Sequence, residues 1–191
     1  MTRLALIALA VLIVLGLVVS VLPAPVSEAK ADVTLEDVAL ELYPAADANA
    51  KWLFKAQNVT YNPETRESIV TGLEDGRRLV ADQLDLTIKA PNLTIDSQDN
   101  LRTQQAEIYV VKGCWLVKLG QPTGNSVLID QNSGYQAPYA DIRGPNLRSK
   151  GGPLDASFDL ESKFNLSNPE DEFVQGGRER CVAGKLIQEK L

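Results

Sequence analysis

Four stretches of this chain share one spacing of apolar and small residues, and that spacing constrains the fold more than any other feature. They are Phe54-Lys-Ala-Gln-Asn-Val-Thr-Tyr61, Leu79-Val-Ala-Asp-Gln-Leu-Asp-Leu86, Leu101-Arg-Thr-Gln-Gln-Ala-Glu-Ile108 and Tyr135-Gln-Ala-Pro-Tyr-Ala-Asp-Ile142. Each reads large apolar, any, small, any, any, apolar, any, apolar. The offsets are 25, 22 and 34 residues, and Leu154-Asp-Ala-Ser-Phe-Asp-Leu160 is a shortened fifth copy. A repeat near 20–30 residues signals stacked units, none able to bury its apolar face alone. The small residue and polar pair fit a strand end and a kink, and the closing apolar-x-apolar pair fits the next strand.

Between the copies stand turn signals: Asn62-Pro63, Asp75-Gly76, Asp99-Asn100, Lys112-Gly113, Gln121-Pro122 and Ser133-Gly134. Upstream, VTLEDVALEL alternates in period two but slips between Asp37 and Val38, which predicts a bulge. Residues 45–51 read as a helical turn or a loop. The expected fold is therefore all-β, built of stacked short antiparallel strands. The repeat domain is expected over residues 33–143, followed by a Gly/Pro-rich β extension over 144–191.

The chain begins with an apolar segment. Leu4 to Leu22 is 19 residues without a charge, preceded by Arg3. A span needs ~20 apolar residues and a signal-peptide core only ~7–15, so this run predicts a retained transmembrane helix. Residues 1–3 form a cytoplasmic stub and residues 23–32 a linker. The competing expectation is a signal peptide cleaved near Ala29-Lys30-Ala31. Either way the remainder is exported, which places it in the periplasm or cell envelope.

Composition removes many functions. There is no His, which excludes Ser-His-Asp and Cys-His catalysis and His-based metal sites. With two Cys, a thiolate-only zinc site lacks ligands. A net charge of −6 argues against nucleic acid. In an exported chain, Cys114 and Cys181 are most simply a disulfide, tying the C-terminal tail to the central repeat. Glu36-Asp37, Glu74-Asp75 and Glu170-Asp171-Glu172 are carboxylate clusters, but they fall at turns or on polar strand phases, where solvated acids are the default. Asp96-Ser-Gln-Asp-Asn100 lacks the glycine and terminal Glu of a calcium loop and reads as a plain turn. No enzyme, metal or other cofactor is expected.

The apolar leader, the W-x-F-x-A-x-x-V-x-Y run from Trp52 to Tyr61, the Asp-Gly turn at 75–76, and LVADQLDL followed by LRTQQAEI resemble one family. It is the lipopolysaccharide-export periplasmic bridge family, the LptC, LptA and OstA-like group, over roughly residues 33–119. The resemblance implies a twisted, half-open β-jelly roll whose apolar interior carries acyl chains. It also implies partners, the other bridge or transporter subunits, joined through strand edges. On matching repeat positions, Phe54, Val59, Tyr61, Leu79, Leu84, Leu86, Leu101, Ala106 and Ile108 would be the inward, lipid-binding residues. The Cys pair and the tail after residue 143 depart from the family pattern. The expected function is a membrane-anchored lipid-transfer bridge. The alternatives are an envelope scaffold with a filled β core and, less favoured, a glycan-acting enzyme using paired carboxylates.

Overall fold

The computed structural model describes residues 32–121, 124–173 and 179–188. The expected stub, membrane helix and most of the linker lie outside them. Among the described residues there is no helix, and therefore none long and apolar enough to cross a membrane. Three long strands come first: β1 (Val33–Leu42), β2 (Ala50–Asn62) and β3 (Glu67–Val80). Shorter ones follow: β4 (Gln83–Lys89), β5 (Asn92–Ile95), β6 (Leu101–Thr103), β7 (Gln105–Val110), β8 (Trp115–Gly120), β9 (Val127–Asp130) and β10 (Gly134–Ala137). Next come β11 (Ala140–Gly144), β12 (Leu147–Gly151), β13 (Leu154–Ala156), β14 (Phe164–Leu166) and β15 (Glu170–Phe173). Together these make one antiparallel sheet of 15 strands. A separate hairpin pairs β16 (Glu179–Val182) with β17 (Lys185–Gln188). Strands β12 to β15 continue the main sheet past residue 143.

The sheet forks at β3. Its first half pairs β5 and its second half pairs β4, while β2 runs along its whole other edge. From the fork one arm continues β5-β6-β9-β10-β13-β14 and the other β4-β7-β8-β11-β12-β15. The chain thus crosses a corner between the arms with β1, β2, β3 and then with each pair from β4–β5 to β14–β15, each crossing lying beside the one before. The repeat spacing is the signature of this corner. A regular strand alternates faces, so inward residues at positions 1 and 3 and then at 6 and 8 require the inward parity to switch between them.

Cross-strand registers run through the entire sheet. In the first arm one inward row is Val33, Tyr61, Ser68, Ile95, Leu101, Ile129, Tyr135, Ala156 and Phe164. In the second it is Leu40, Phe54, Gly76, Ile88, Ile108, Val117, Ile142, Ser149 and Asp171. On the outer face of the second arm, Lys89, Glu107, Lys118, Asp141, Lys150 and Glu170 stand opposite one another with strictly alternating sign. A one-residue slip would break this ladder and turn the apolar row to solvent, so both faces specify the same register.

Several sequence expectations change in detail. The slip in β1 is not a bulge: its pairing with β2 keeps one register from Val33 to Leu42, and parity switches at Asp37, which has φ 51°. Residues 45–51 include turns and the first residues of β2, without helix. Asp75-Gly76 is not a turn but lies inside β3, beside a register shift. Glycine is required there because a Cβ would stand 2.6 Å from Ile88 Cγ2. Gly144, read as a breaker, is an inward strand residue covered by the Trp115 ring, which leaves 2.0 Å for a Cβ.

Candidate functional site: the apolar interior and its rims

The site the sequence proposes is the space between the arms. Of the nine expected lining residues, Phe54, Val59, Leu86, Leu101, Ala106 and Ile108 are buried in one apolar cluster with Trp52, Tyr135 and Ile142. Three are placed differently. Tyr61 keeps its inward register but lies near the free edge of the sheet and is 40 % exposed. Leu84 is 42 % exposed and pairs with half-buried Leu79 on the outer face. The copy Leu79–Leu86 does not cross the corner. It spans the β3–β4 hairpin, where Ala81 and Asp82 both take positive φ, and a register shift between Arg78 and Leu79 turns Leu84 outward.

The crossing that belongs in that place is Ile88-Lys-Ala-Pro-Asn-Leu-Thr-Ile95, which has the same spacing and whose Ile88, Leu93 and Ile95 are all buried. Val33-Thr-Leu-Glu-Asp-Val-Ala-Leu40 and Ser149-Lys-Gly-Gly-Pro-Leu-Asp-Ala156 fit the spacing too. Scanning for the 1, 3, 6, 8 pattern without demanding a large first or a small third residue finds them.

Opposite the corner, the turns of the two arms meet and close the interior. Ala45 N–H donates to Asp99 Oδ2 (3.2 Å), and Trp52 Nε1 donates to Gln131 Oε1 (3.0 Å). Lys112 Nζ pairs with Glu161 at 2.8 Å. Phe158, on the β13–β14 turn, packs edge-on to Tyr135 (centroids 5.4 Å) and Trp52 (6.4 Å). It also lies 4.0 Å under the Arg78 guanidinium. Arg78 is buried yet occupies an inward position beside Trp52, and it is held by Asp85 and, at 2.6 Å, by Asp47. The bulge that turns Leu84 out is what brings Asp85 to Arg78, and no sequence spacing announces it.

The β13–β14 turn is organised by Asp159. Burial by itself would raise this carboxyl, but bonds donated by the Ser157 and Ser162 hydroxyls and the Ser162 and Glu161 N–H groups outweigh it and hold it well below the usual carboxylate range. Burial pushes the Tyr135 hydroxyl far up, and that hydroxyl donates to Phe158 O.

The interior is covered along its middle and uncovered at both ends of the stack. At one end Val33 and Leu35 on β1 are each 53 % exposed although they face the same way as buried Val59 and Val70. At the other end Phe164 on β14 is 47 % exposed. Outside the corner lies a cleft of about 510 Å³ with Lys89, Glu107, Lys118 and Asp141 over Ala90 and Tyr139.

Of the expected carboxylate clusters, Glu36 and Asp37 are exposed on β1, and several acids of the other two are held in ion pairs or hydrogen bonds. Glu74 pairs with Lys55, Asp75 with Arg77 and Glu172 with Arg148. Asp171 accepts from Ser149, and the Asp96 carboxylate accepts from Gln98 and Asn100 within its own turn and from Arg102 on β6. No cluster of three or more potential metal ligands occurs among the described residues.

The disulfide between Cys114 and Cys181 is formed. It pins β16–β17 to the β7–β8 turn, together with Tyr109 Oη donating to Gly184 O and Arg143 pairing with Glu179. No protein-family model matches the chain, and no curated protein matches it either.

Proposed function

We propose that the chain is a lipid-transfer bridge of the cell envelope, related to the lipopolysaccharide-export group. In this reading residues 4–22 anchor it in the inner membrane and the β domain stands on the periplasmic side. The bent sheet is then a half-open jelly roll that has closed its lips. The observation that carries the reading is the pair of inward rows, apolar across most strands, of which the first ends in exposed Val33 and Phe164 at the two edges while the second runs from half-buried Leu40 to Ser149 and Asp171. Eight spacings of ~4.8 Å make such a stack about 38 Å long, enough to hand a chain-like lipid from one neighbour to the next. Acyl chains enter when the lips part, and the ties across the lips among the described residues are two hydrogen bonds, one exposed ion pair and the Phe158 contacts. The cargo needs no catalytic group, since each buried CH₂ contributes ~0.8 kcal/mol.

One observation favours the scaffold alternative. Trp52, Leu86, Ile108 and Tyr135 have essentially no exposed surface, as a permanently filled core would. Photocrosslinking separates the two. With a benzoyl-phenylalanine at Phe54, Val59 or Leu101, the bridge reading expects capture of lipopolysaccharide from micelles, and at outward Leu84 it expects none. Equal labelling at Leu84 and the inward sites, or no labelling anywhere, leaves the scaffold.

A further inference from the structure

We infer that the outer face of the first arm carries a binding site for a neutral, linear oligosaccharide. Two hollows lie on that face, one of about 470 Å³ and one of about 230 Å³. Arg102 and Ser126 line both, so the hollows adjoin and make one trench. Thr94, Arg102, Leu128, Gln136 and Asp155 follow one another along it, each directly opposite the next on β5, β6, β9, β10 and β13. The trench therefore runs across the strands and offers one outward side chain every ~4.8 Å.

The two outer faces differ in charge. On the second arm the row from Lys89 to Glu170 is charged at every position. On the first arm the row from Thr34 to Asn165 has nine positions and two charges, Arg102 and Asp155. Both are already held, Arg102 by Asp96 at 3.3 Å and Asp155 by Lys163 at 2.6 Å. Depletion of charge marks the centre of binding surfaces. In its place the trench has hydroxyls and amides, and those of Asn92, Thr94, Gln104 and Gln136 make no side-chain hydrogen bond among the described residues. Such groups both donate and accept, as sugar hydroxyls do. Leu128, Pro138 and Pro153 supply apolar surface for the C–H face of a sugar ring. At the β13 end, Asp155 Oδ1 is covered and has no hydrogen-bond partner among the described residues. Native structures seldom leave such an oxygen unsatisfied, and a ligand hydroxyl would supply the donor once the carboxylate turns toward the trench it lines.

Spacing selects the ligand as well. A pyranose unit in an extended β-linked chain is about as long as the gap between neighbouring strands, so a glycan lying in the trench meets one of these side chains per sugar. Five strands take about four sugars. An extended peptide repeats its same-face side chains every ~6.6 Å and falls out of step. A polyanion would find no unpaired cation in the row to meet it. The inference concerns the outer face alone and holds whether or not the interior takes lipid.

The test uses the full, isotope-labelled chain in a polyoxyethylene detergent, which carries no sugar. The probes are chitotetraose, the same tetrasaccharide on an alkyl chain, and tetragalacturonate as the charged control. Chitotetraose should shift the amide resonances of residues 94, 102, 128, 136 and 155 and leave those of β7 and β8 in place. Its affinity should be the same at low and high salt, since no ion pair is made. Thr94→Ala/Gln136→Ala should weaken it about tenfold, and Gln136→Ala alone, at an exposed position, about threefold. Lys118→Ala on the other arm should change nothing. Equal binding of the free and alkyl-borne sugars assigns a free glycan. Tighter binding of the alkyl-borne form that the double variant still weakens assigns the head of a glycolipid, and either result keeps the site. No shifts with either sugar, shifts confined to other strands, tighter and salt-dependent binding of tetragalacturonate, or undiminished binding in the double variant would overturn the inference.

Discussion

Arg78 concentrates the conflict between burial and charge in this protein. It sits in an apolar row, yet Asp47, Asp85 and Phe158 together satisfy its charge and its planar face. Removing it strands two carboxylates. Fully buried pairs lose ~3–5 kcal/mol on such truncation, but both acids are about a quarter exposed. We expect Arg78→Ala to cost about 2 kcal/mol in urea unfolding, with Arg78→Lys recovering little, since an ammonium cannot hold two carboxylates and stack as well.

Outward Leu84 and inward Ile108 make a sharper contrast. Leu84→Asp should change stability by less than about 1 kcal/mol, whereas Ile108→Asp buries an unpaired charge and should prevent folding. Equal effects in thermal melts would mean that the corner register is wrong.

Asp159 sets the acid response of the lip. Its carboxyl is depressed in the folded state, so its contribution is fully present above the ordinary carboxylate value of ~3.9 and lost as pH falls through the folded one. The melting temperature should therefore keep falling below pH 4, and Asp159→Asn should flatten that part of the profile. A variant with the wild-type profile would remove Asp159 from this role.

At the scale of elements, the β16–β17 hairpin is held from outside rather than by the core. Its ties among the described residues include the disulfide, one tyrosine hydrogen bond and the contacts of Glu179 with Arg143 and Asn146. The bridge closes a separation of 67 residues, so the chain-entropy estimate is about 4 kcal/mol. Replacing both cysteines by serine should lower stability by up to that amount. Hydrogen exchange should then show lost protection over residues 179–188 while β7 and β8 stay protected. Loss across the whole sheet instead would make the hairpin part of the folding core.

The main sheet, β1 to β15, is one meander bent at a corner, and its sequence and structure agree unevenly. Alternation in period two, the turn residues and the cysteines declared an all-β chain with one bridge, because these are local consequences of backbone geometry and of thiol chemistry. The 1, 3, 6, 8 spacing was legible as well, since a parity switch must be written wherever a strand turns its inward face. Its meaning was not. Leu79–Leu86 carries the spacing and forms a hairpin, while Ile88–Ile95 carries it and turns the corner; the difference lies in two positive-φ residues and a bulge. Sequence alone thus determined which residues want to be inside. Tertiary structure decided which arm each one faces, that the alternating charges align into a ladder, and that Phe158 and Arg78 close the lip. The ladder joins residues 9 to 23 positions apart and the lip joins Arg78 to Phe158 across 80, and no local spacing encodes which side chain arrives opposite.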